Sequence, residues 1–389
     1  MLADYNLKMP GAVYSGEHAL EQMTKILKGK VKRAAVFTDP GIKKAGLLDL
    51  PLSCIAEAGT EPVIIDRIPA EPSCEQVQEA VNEFWASGAD FIIAVGGGSV
   101  MDTAKLASVL DQSPDGVRKL LDNPVGARKI VKTMMIPTTA GTGSEATPNS
   151  IAAVPEKELK VGIVNEEMIA DYVILDARMV KSLPRKLAAA TGVDALAHAI
   201  ECFTSNKANP FSDLFALEAL ELIFNNIEAA CDDPENDKAK NAMQTAAFYA
   251  GAAITASGTT AVHALSYPLG GKYHIPHGVS NAMLLTPVMK FNEPACRNRL
   301  ARAFDRIAAS GRAESGLKTE EEKSAWIISR LEHIVKHLDI PVSLKEYGVG
   351  KEDLEDLVAS GMEVKRLLNN NMREVKPEDA RALYLQILE

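Results

Sequence analysis

Apolar residues in the first half of the chain come in short, β-branched runs separated by longer stretches with helical spacing. The runs AAVFT (34–38), PVIID (62–66), FIIAV (91–95), IVKTMMIP (130–137) and YVILD (172–176) alternate with segments such as EQVQEAVNEFWASG (75–88). This alternation predicts βαβ units and a mostly parallel sheet with helices on both faces. The texture changes after Leu183-Pro184, where strand-like runs become rare. Stretches such as ANPFSDLFALEALELIFNNIEAA (208–230) and TEEEKSAWIISRLEHIVKHLDI (319–340) instead repeat apolar residues at helical spacing. The expected organisation is an α/β domain over 1–183 and an all-helical domain over 184–389, and Glu320, Glu321, Glu322 and Lys323 read as a solvated helix start. No internal repeat or low-complexity segment interrupts this pattern.

A length of 389 residues with 47% hydrophobic content is enough for two cores. The net charge of −10 argues against nucleic-acid or anionic-membrane partners, which need basic patches. With no apolar run long enough to span a bilayer and no signal-peptide pattern in MLADYNLKMPG, the expected location is the cytoplasm. The five cysteines are odd in number and have no CxxC spacing, so neither a disulfide framework nor a thiolate zinc site is indicated. Cys202 reads as a packing residue.

Candidate chemistry concentrates in four segments. In TGVDALAHAIE (191–201), Asp194 and His198 stand four residues apart and project from one face of a helix. VHALSYPLGGKYHIPHG (262–278) adds His263 and, in a Pro-His-Gly turn, His277, with His274 a nearby competitor. Three imidazoles and a carboxylate suit one divalent transition metal, and a metal with an open position polarises an alcohol or carbonyl oxygen. In AVGGGSVMDTAK (94–105), a glycine triplet and Ser99 lie between a strand and a helix, which allows close backbone approach to a phosphate. The dinucleotide fingerprint GxGxxG is absent, and the acidic candidate Asp39 precedes the glycines. In MMIPTTAGTGSEATPNS (134–150), hydroxyls interleaved with glycines suit phosphate and ribose oxygens.

The motifs GGGSVMDTAK, PTTAGTGSE, LPRKLAAATGVDALAHAIE and HALSYPLGGKYHIPHG, in that order, resemble those of the iron-containing alcohol dehydrogenases over nearly the whole chain. The resemblance implies a dehydroquinate synthase-like architecture, with an α/β dinucleotide-binding domain and a helical metal-binding domain. It implies metal ligation by Asp194, His198, His263 and His277 and a pyrophosphate loop at Gly97, Gly98 and Ser99. Thr138, Thr139 and Thr142 match further cofactor contacts, and Asn149 and Lys160 match positions near the nicotinamide ribose. Asp102 and Leu183 complete the expected cofactor-binding set.

The expected cofactors are NAD, favoured over NADP by the Asp39 carboxylate, and Fe2+ with Zn2+ as the alternative. The expected activity is reversible hydride transfer between nicotinamide and a small alcohol or hydroxyacid, in a cleft between the domains and in a homodimer or higher homo-oligomer. Where many alcohol-oxidising relatives carry a histidine four residues after the third ligand, this chain has Tyr267, the candidate proton-transfer residue. Small residues before that ligand, among them Ala253, Ile254, Ser257 and Thr260, are candidates for shaping the pocket or for helix packing. The alternatives are a hydroxyacid–oxoacid transhydrogenase and a dehydroquinate synthase-type lyase. Against the lyase, its relatives typically carry lysine where this chain has Ser99, and their metal shell normally includes a glutamate. A catalytically silent binding protein is disfavoured by the intact ligand and loop motifs.

Overall fold

The computed structural model describes residues 5–157, 159–311 and 316–388, which form two compact units. One unit is Lys8–Leu183; the other is Pro184–Glu389, joined by the N-terminal segment through Tyr5, whose ring packs edge-on against Phe211 at 5.4 Å.

In the first unit, strands β1 (Ala12–Ser15), β2 (Arg33–Phe37), β3 (Glu61–Ile65), β4 (Phe91–Gly96), β5 (Thr133–Pro137) and β8 (Tyr172–Leu175) form one sheet. Its order is β1-β8-β5-β4-β2-β3, with every pairing parallel. β4 is buried along its whole length, as a central strand covered on both faces must be. The five runs legible in the sequence are β2, β3, β4, β5 and β8. Two features were not anticipated: the short edge strand β1, and the antiparallel hairpin of β6 (Asn149–Val154) and β7 (Leu159–Val164).

The second unit is helical. Its principal helices are Arg185–Phe203, Pro210–Asp232, Asp237–Ala256, Ala261–Tyr273, His277–Ala309, Glu320–His337 and Pro377–Leu388. The acidic run 320–322 does begin a helix, where Thr319 and Glu322 form a reciprocal capping box. Pro287 and Pro294 lie inside the long helix 277–309, and its backbone breaks from helical geometry at Cys296 (φ −127°). Gly278 lets this helix cross the helix 185–203 at backbone contact: a Cβ there would lie 2.2 Å from the Ala190 carbonyl oxygen. The buried Tyr384 hydroxyl donates to the Leu265 carbonyl at 2.7 Å, tying the helix 377–388 to the helix 261–273. No helix among the described residues is long and apolar enough to cross a membrane.

Candidate metal centre and cofactor cradle

Three helices of the second unit bring the four expected ligands together. Asp194 and His198 lie one turn apart on the helix 185–203, and His263 lies in the first turn of the helix 261–273. The anticipated turn around His277 is displaced by a few residues. His274, at φ 54°, ends one helix, Pro276 caps the next, and His277 is the first residue of the helix 277–309. His274 is exposed and stands outside the cluster.

One ligand atom from each of Asp194, His198, His263 and His277 falls within 4.8 Å of all the others. The three Nε2 atoms lie 3.8, 3.6 and 3.6 Å from Asp194 Oδ1, for His198, His263 and His277 respectively. Asp194, His198 and His263 are buried and His277 is partly exposed, so access to the cluster is on the His277 side. The Tyr267 ring lies there too, 6.2 Å from that of His277.

Burial alone would raise the Asp194 carboxyl, but positive charge on His198, His277 and His263 outweighs it and holds the group well below the usual carboxylate range. Burial would lower His263, yet the carboxylates of Glu201 and Asp194 raise it to about 9. Mutual proximity of nitrogen and carboxylate donors around one point, with little water, is what a divalent metal requires, and the residues fit one.

Two neighbours of the cluster were not singled out in the sequence. Glu201 is fully buried one turn after His198 and bonds His263 Nδ1. Asn281, one turn after His277, donates to Asp194 Oδ1 at 2.7 Å. A glutamate near the end of a helix ordinarily reads as solvated, and an asparagine carries no chemical flag, so only the fold reveals them. Ser257 and Thr260 also turn towards the helix 185–203: the Ser257 hydroxyl donates to the Cys202 carbonyl at 3.2 Å and Thr260 to Glu201 at 2.6 Å. Their role is packing and support. Cys202 is buried with its thiol pushed up by burial, as a packing residue should be.

A second His/carboxylate grouping, Glu228 with His333 and His337, joins the helices 210–232 and 320–337 near the surface. Its members are engaged in salt bridges, with Arg330 2.8 Å from Glu228 and Asp232 2.6 Å from His337, while Glu228 Oε1 is buried with no hydrogen-bond partner.

In the first unit, the expected cofactor residues gather at the C-terminal ends of adjacent strands. Gly97, in extended backbone, is the N-cap of the helix Gly98–Val109 and, having no side chain, gives its first-turn N–H groups no side-chain cap. β4 and β5 pair through Gly96 and Pro137, which sets Thr138, Thr139 and Thr142 against the glycines. A Cβ on Gly98 would lie 2.9 Å from Thr142 Cγ2, and one on Gly97 3.4 Å from Thr139 Cγ2. The hydroxyls of Thr138 and Thr139 are buried with no hydrogen-bond partner. Buried hydroxyls are rarely left so, and here they border a cradle that a side chain would fill; the arrangement fits a phosphate-bearing cofactor.

The other expected cofactor positions lie in the same unit. Asp39, at the end of β2, caps the next helix by accepting from Gly41 and Ile42 N–H with Oδ1. Ser99 Oγ accepts from Glu71 N–H at 3.0 Å, and the Glu71 carboxylate pairs with Lys160 at 2.6 Å. Both Asp102 oxygens are engaged by the protein itself. Oδ1 meets Ser144 and Lys105, while Oδ2 accepts from Ile151 N–H at 2.9 Å. Asp102 therefore fastens the Thr/Gly loop and the β6–β7 hairpin to the helix 98–109. The fully buried Lys105 assists, donating to Ser144 Oγ at 2.7 Å and to the carbonyl of Asn149, the first residue of β6, at 2.7 Å. Burial pushes the neighbouring Glu145 carboxyl up to about 7. Leu183 closes a turn by bonding the Val180 carbonyl at 3.2 Å, at the last position of the unit.

Known proteins resemble this chain along both units. Residues 10–177 match the family described as iron-containing alcohol dehydrogenase, and residues 188–388 match the C-terminal region of the Fe-containing alcohol dehydrogenase family. The long-chain-alcohol dehydrogenase 1 of Geobacillus thermodenitrificans is 35% identical over 380 residues, covering 96% of this chain and 94% of its own. A crystal structure of 1,3-propanediol oxidoreductase superposes with a TM-score of 0.89 at 28% identity, covering 99% of this chain and all of the other. Sulfoacetaldehyde reductase from Bifidobacterium kashiwanohense, solved in complex with NAD+, gives a TM-score of 0.87 at 25% identity, covering 100% of this chain and 99% of that one. Matched along both halves, the chain belongs to the iron-containing alcohol dehydrogenase family, whose members are oxidoreductases acting on alcohols and related hydroxy compounds.

Proposed function

We propose that the chain is a metal-dependent, NAD-linked dehydrogenase interconverting a small alcohol or hydroxyacid and its carbonyl counterpart, with Fe2+ as the metal and Zn2+ the rival. The observation that carries this reading is the convergence of three imidazole nitrogens and one carboxylate oxygen within 4.8 Å. The unpartnered Thr138 and Thr139 hydroxyls beside the glycine triplet support it from the other unit. When bound, the metal supplies Lewis acidity and the nicotinamide supplies the hydride-accepting ring.

This chain's own groups bind and orient. Asp194, His198, His263 and His277 hold the metal; Gly97, Gly98 and Ser99 present backbone and hydroxyl donors to the pyrophosphate, and Thr138, Thr139 and Thr142 line the cradle. Asp39 Oδ2 is left to accept from ribose hydroxyls while its negative charge disfavours a 2′-phosphate, which supports NAD over NADP. Tyr267, beside the more open ligand His277, is assigned to proton exchange with solvent.

The test combines metal analysis with a screen. After reconstitution with ferrous iron, wild type should hold about one metal per chain and reduce NAD with some member of a panel of alcohols and hydroxyacids. His277→Ala should lose most of the metal. Undiminished metal in His277→Ala, or NADP reduced as readily as NAD, would overturn the corresponding part of the reading.

A further inference from the structure

We infer that Glu201 sets the tautomer of His263 and thereby decides whether that imidazole can ligate a metal, an assignment that rests on the metal-centre reading above. Glu201 lies on the helix 185–203, fully buried. One of its oxygens accepts from two donors, the Thr260 hydroxyl at 2.6 Å and the Val262 backbone N–H at 2.7 Å. The other oxygen faces His263 Nδ1 in a short contact. A carboxylate has acceptors only, so Nδ1 must carry the hydrogen. Nε2 is then the nitrogen that gives up its hydrogen to a metal and ligates with the freed lone pair; it faces the cluster 3.6 Å from Asp194 Oδ1. A carboxylate behind a histidine in this way fixes ring orientation and increases the basicity of the ligating nitrogen.

The Val262 N–H makes this assignment unusually easy to challenge. A backbone N–H only donates, so whatever faces it must accept. In Glu201→Gln the amide has one satisfactory orientation, with its oxygen towards Val262 and Thr260 and its NH2 towards His263 Nδ1. That nitrogen must then accept, the ring hydrogen moves to Nε2, and the lone pair needed for ligation is lost. The opposite orientation sets an NH2 against the Val262 N–H. Glu201→Ala behaves differently: it leaves a cavity and unsatisfied donors, which weakens the fold, but imposes no tautomer on His263.

The two substitutions therefore rank in opposite orders for two measurements. With full-length protein stripped by a chelator, zinc affinity is read by competition with a chromophoric chelator, and thermal midpoints are read on the same metal-free samples. Glu201→Gln should bind zinc about 10- to 100-fold more weakly than wild type while keeping its midpoint near wild type. Glu201→Ala should lose more thermal stability and less zinc affinity than Glu201→Gln. A merely structural glutamate would make Ala the worse variant in both. Zinc binding by Glu201→Gln at wild-type strength, or weaker binding by Ala than by Gln, overturns the tautomer assignment alone. A wild type that binds no zinc overturns the metal-centre reading with it. Should Glu201→Ala fail to fold, the comparison of wild type with the isosteric Gln variant still decides.

Discussion

Replacing Gly278 by alanine sets two effects of known size against each other. Gly278 is the second residue of the helix 277–309, where alanine is favoured over glycine by at most about 1 kcal/mol, the value for a helix interior, so propensity alone makes Gly278→Ala mildly stabilising. The structure says otherwise. The new Cβ would lie 2.2 Å from the Ala190 carbonyl oxygen, 2.6 Å from its carbon and 3.3 Å from its Cα. Those are backbone atoms of the neighbouring helix and no rotamer moves them aside, so the two helices must separate by on the order of 1 Å to restore ordinary contact. Overpacking of this kind costs roughly 1–3 kcal/mol, and the upper part of that range applies where only backbone can yield.

The separation also acts on the proposed ligands, because Gly278 adjoins His277 and Ala190 lies one turn before Asp194. His277 Nε2 stands 3.6 Å from Asp194 Oδ1, while metal–ligand distances tolerate changes of only about 0.2 Å. Gly278→Ala should therefore lower the thermal midpoint of the metal-free protein and weaken zinc binding at least about tenfold in chelator competition, the loss expected when a ligand is misplaced. Gly192→Ala is the control. On the same helix as Ala190, its new Cβ would meet the end of the Ile227 side chain at 3.1 Å, which can shift. If Gly278→Ala matches wild type in both measurements, helix propensity has won and the close crossing does not position the site.

Two further substitutions probe groups outside the ligand set. Glu145 is buried with its carboxyl raised from an ordinary 4.5 to about 7, so the folded protein favours the protonated form; stability is full below about pH 4.5 and is lost as pH rises through about 7, by roughly 3 kcal/mol at most. Glu145→Gln should gain on wild type in denaturant midpoint between pH 5 and pH 8, and an unchanged difference between those pH values refutes the burial argument. Tyr267→His should raise alcohol oxidation near neutral pH, where a phenol is a poor proton acceptor, with metal content unaltered; pH–rate profiles of identical shape for the two proteins would remove Tyr267 from proton transfer.

The parallel sheet was legible in the sequence because its central strands are buried on both faces and so appear as unbroken apolar runs, FIIAV above all. β1 lacked that signal: AVYS is four residues long and half exposed, and it acquires strand character only by pairing with β8, some 160 residues away. The Asp194, His198, His263 and His277 cluster was legible because histidine is scarce in this chain and the i, i+4 spacing survives any detail of helix packing. Glu201 was not, since its role depends on the backbone N–H of Val262 arriving from another helix. Asp102, expected in the cofactor-binding set, shows a further limit: that Ser144, Lys105 and Ile151 converge on its carboxylate depends on the hairpin folding against the helix, which no sequence spacing announces.

The bond from Tyr384 to Leu265 also bears on the order in which the protein matures on the ribosome. The sheet of the first unit needs nothing later than β8 and can close while synthesis continues. The helix bearing His263 and Tyr267 leaves the ribosome more than a hundred residues before the tyrosine that anchors it. The helical unit is thus the later of the two to gain its last tertiary contacts, after the sheet of the first unit has every strand it needs.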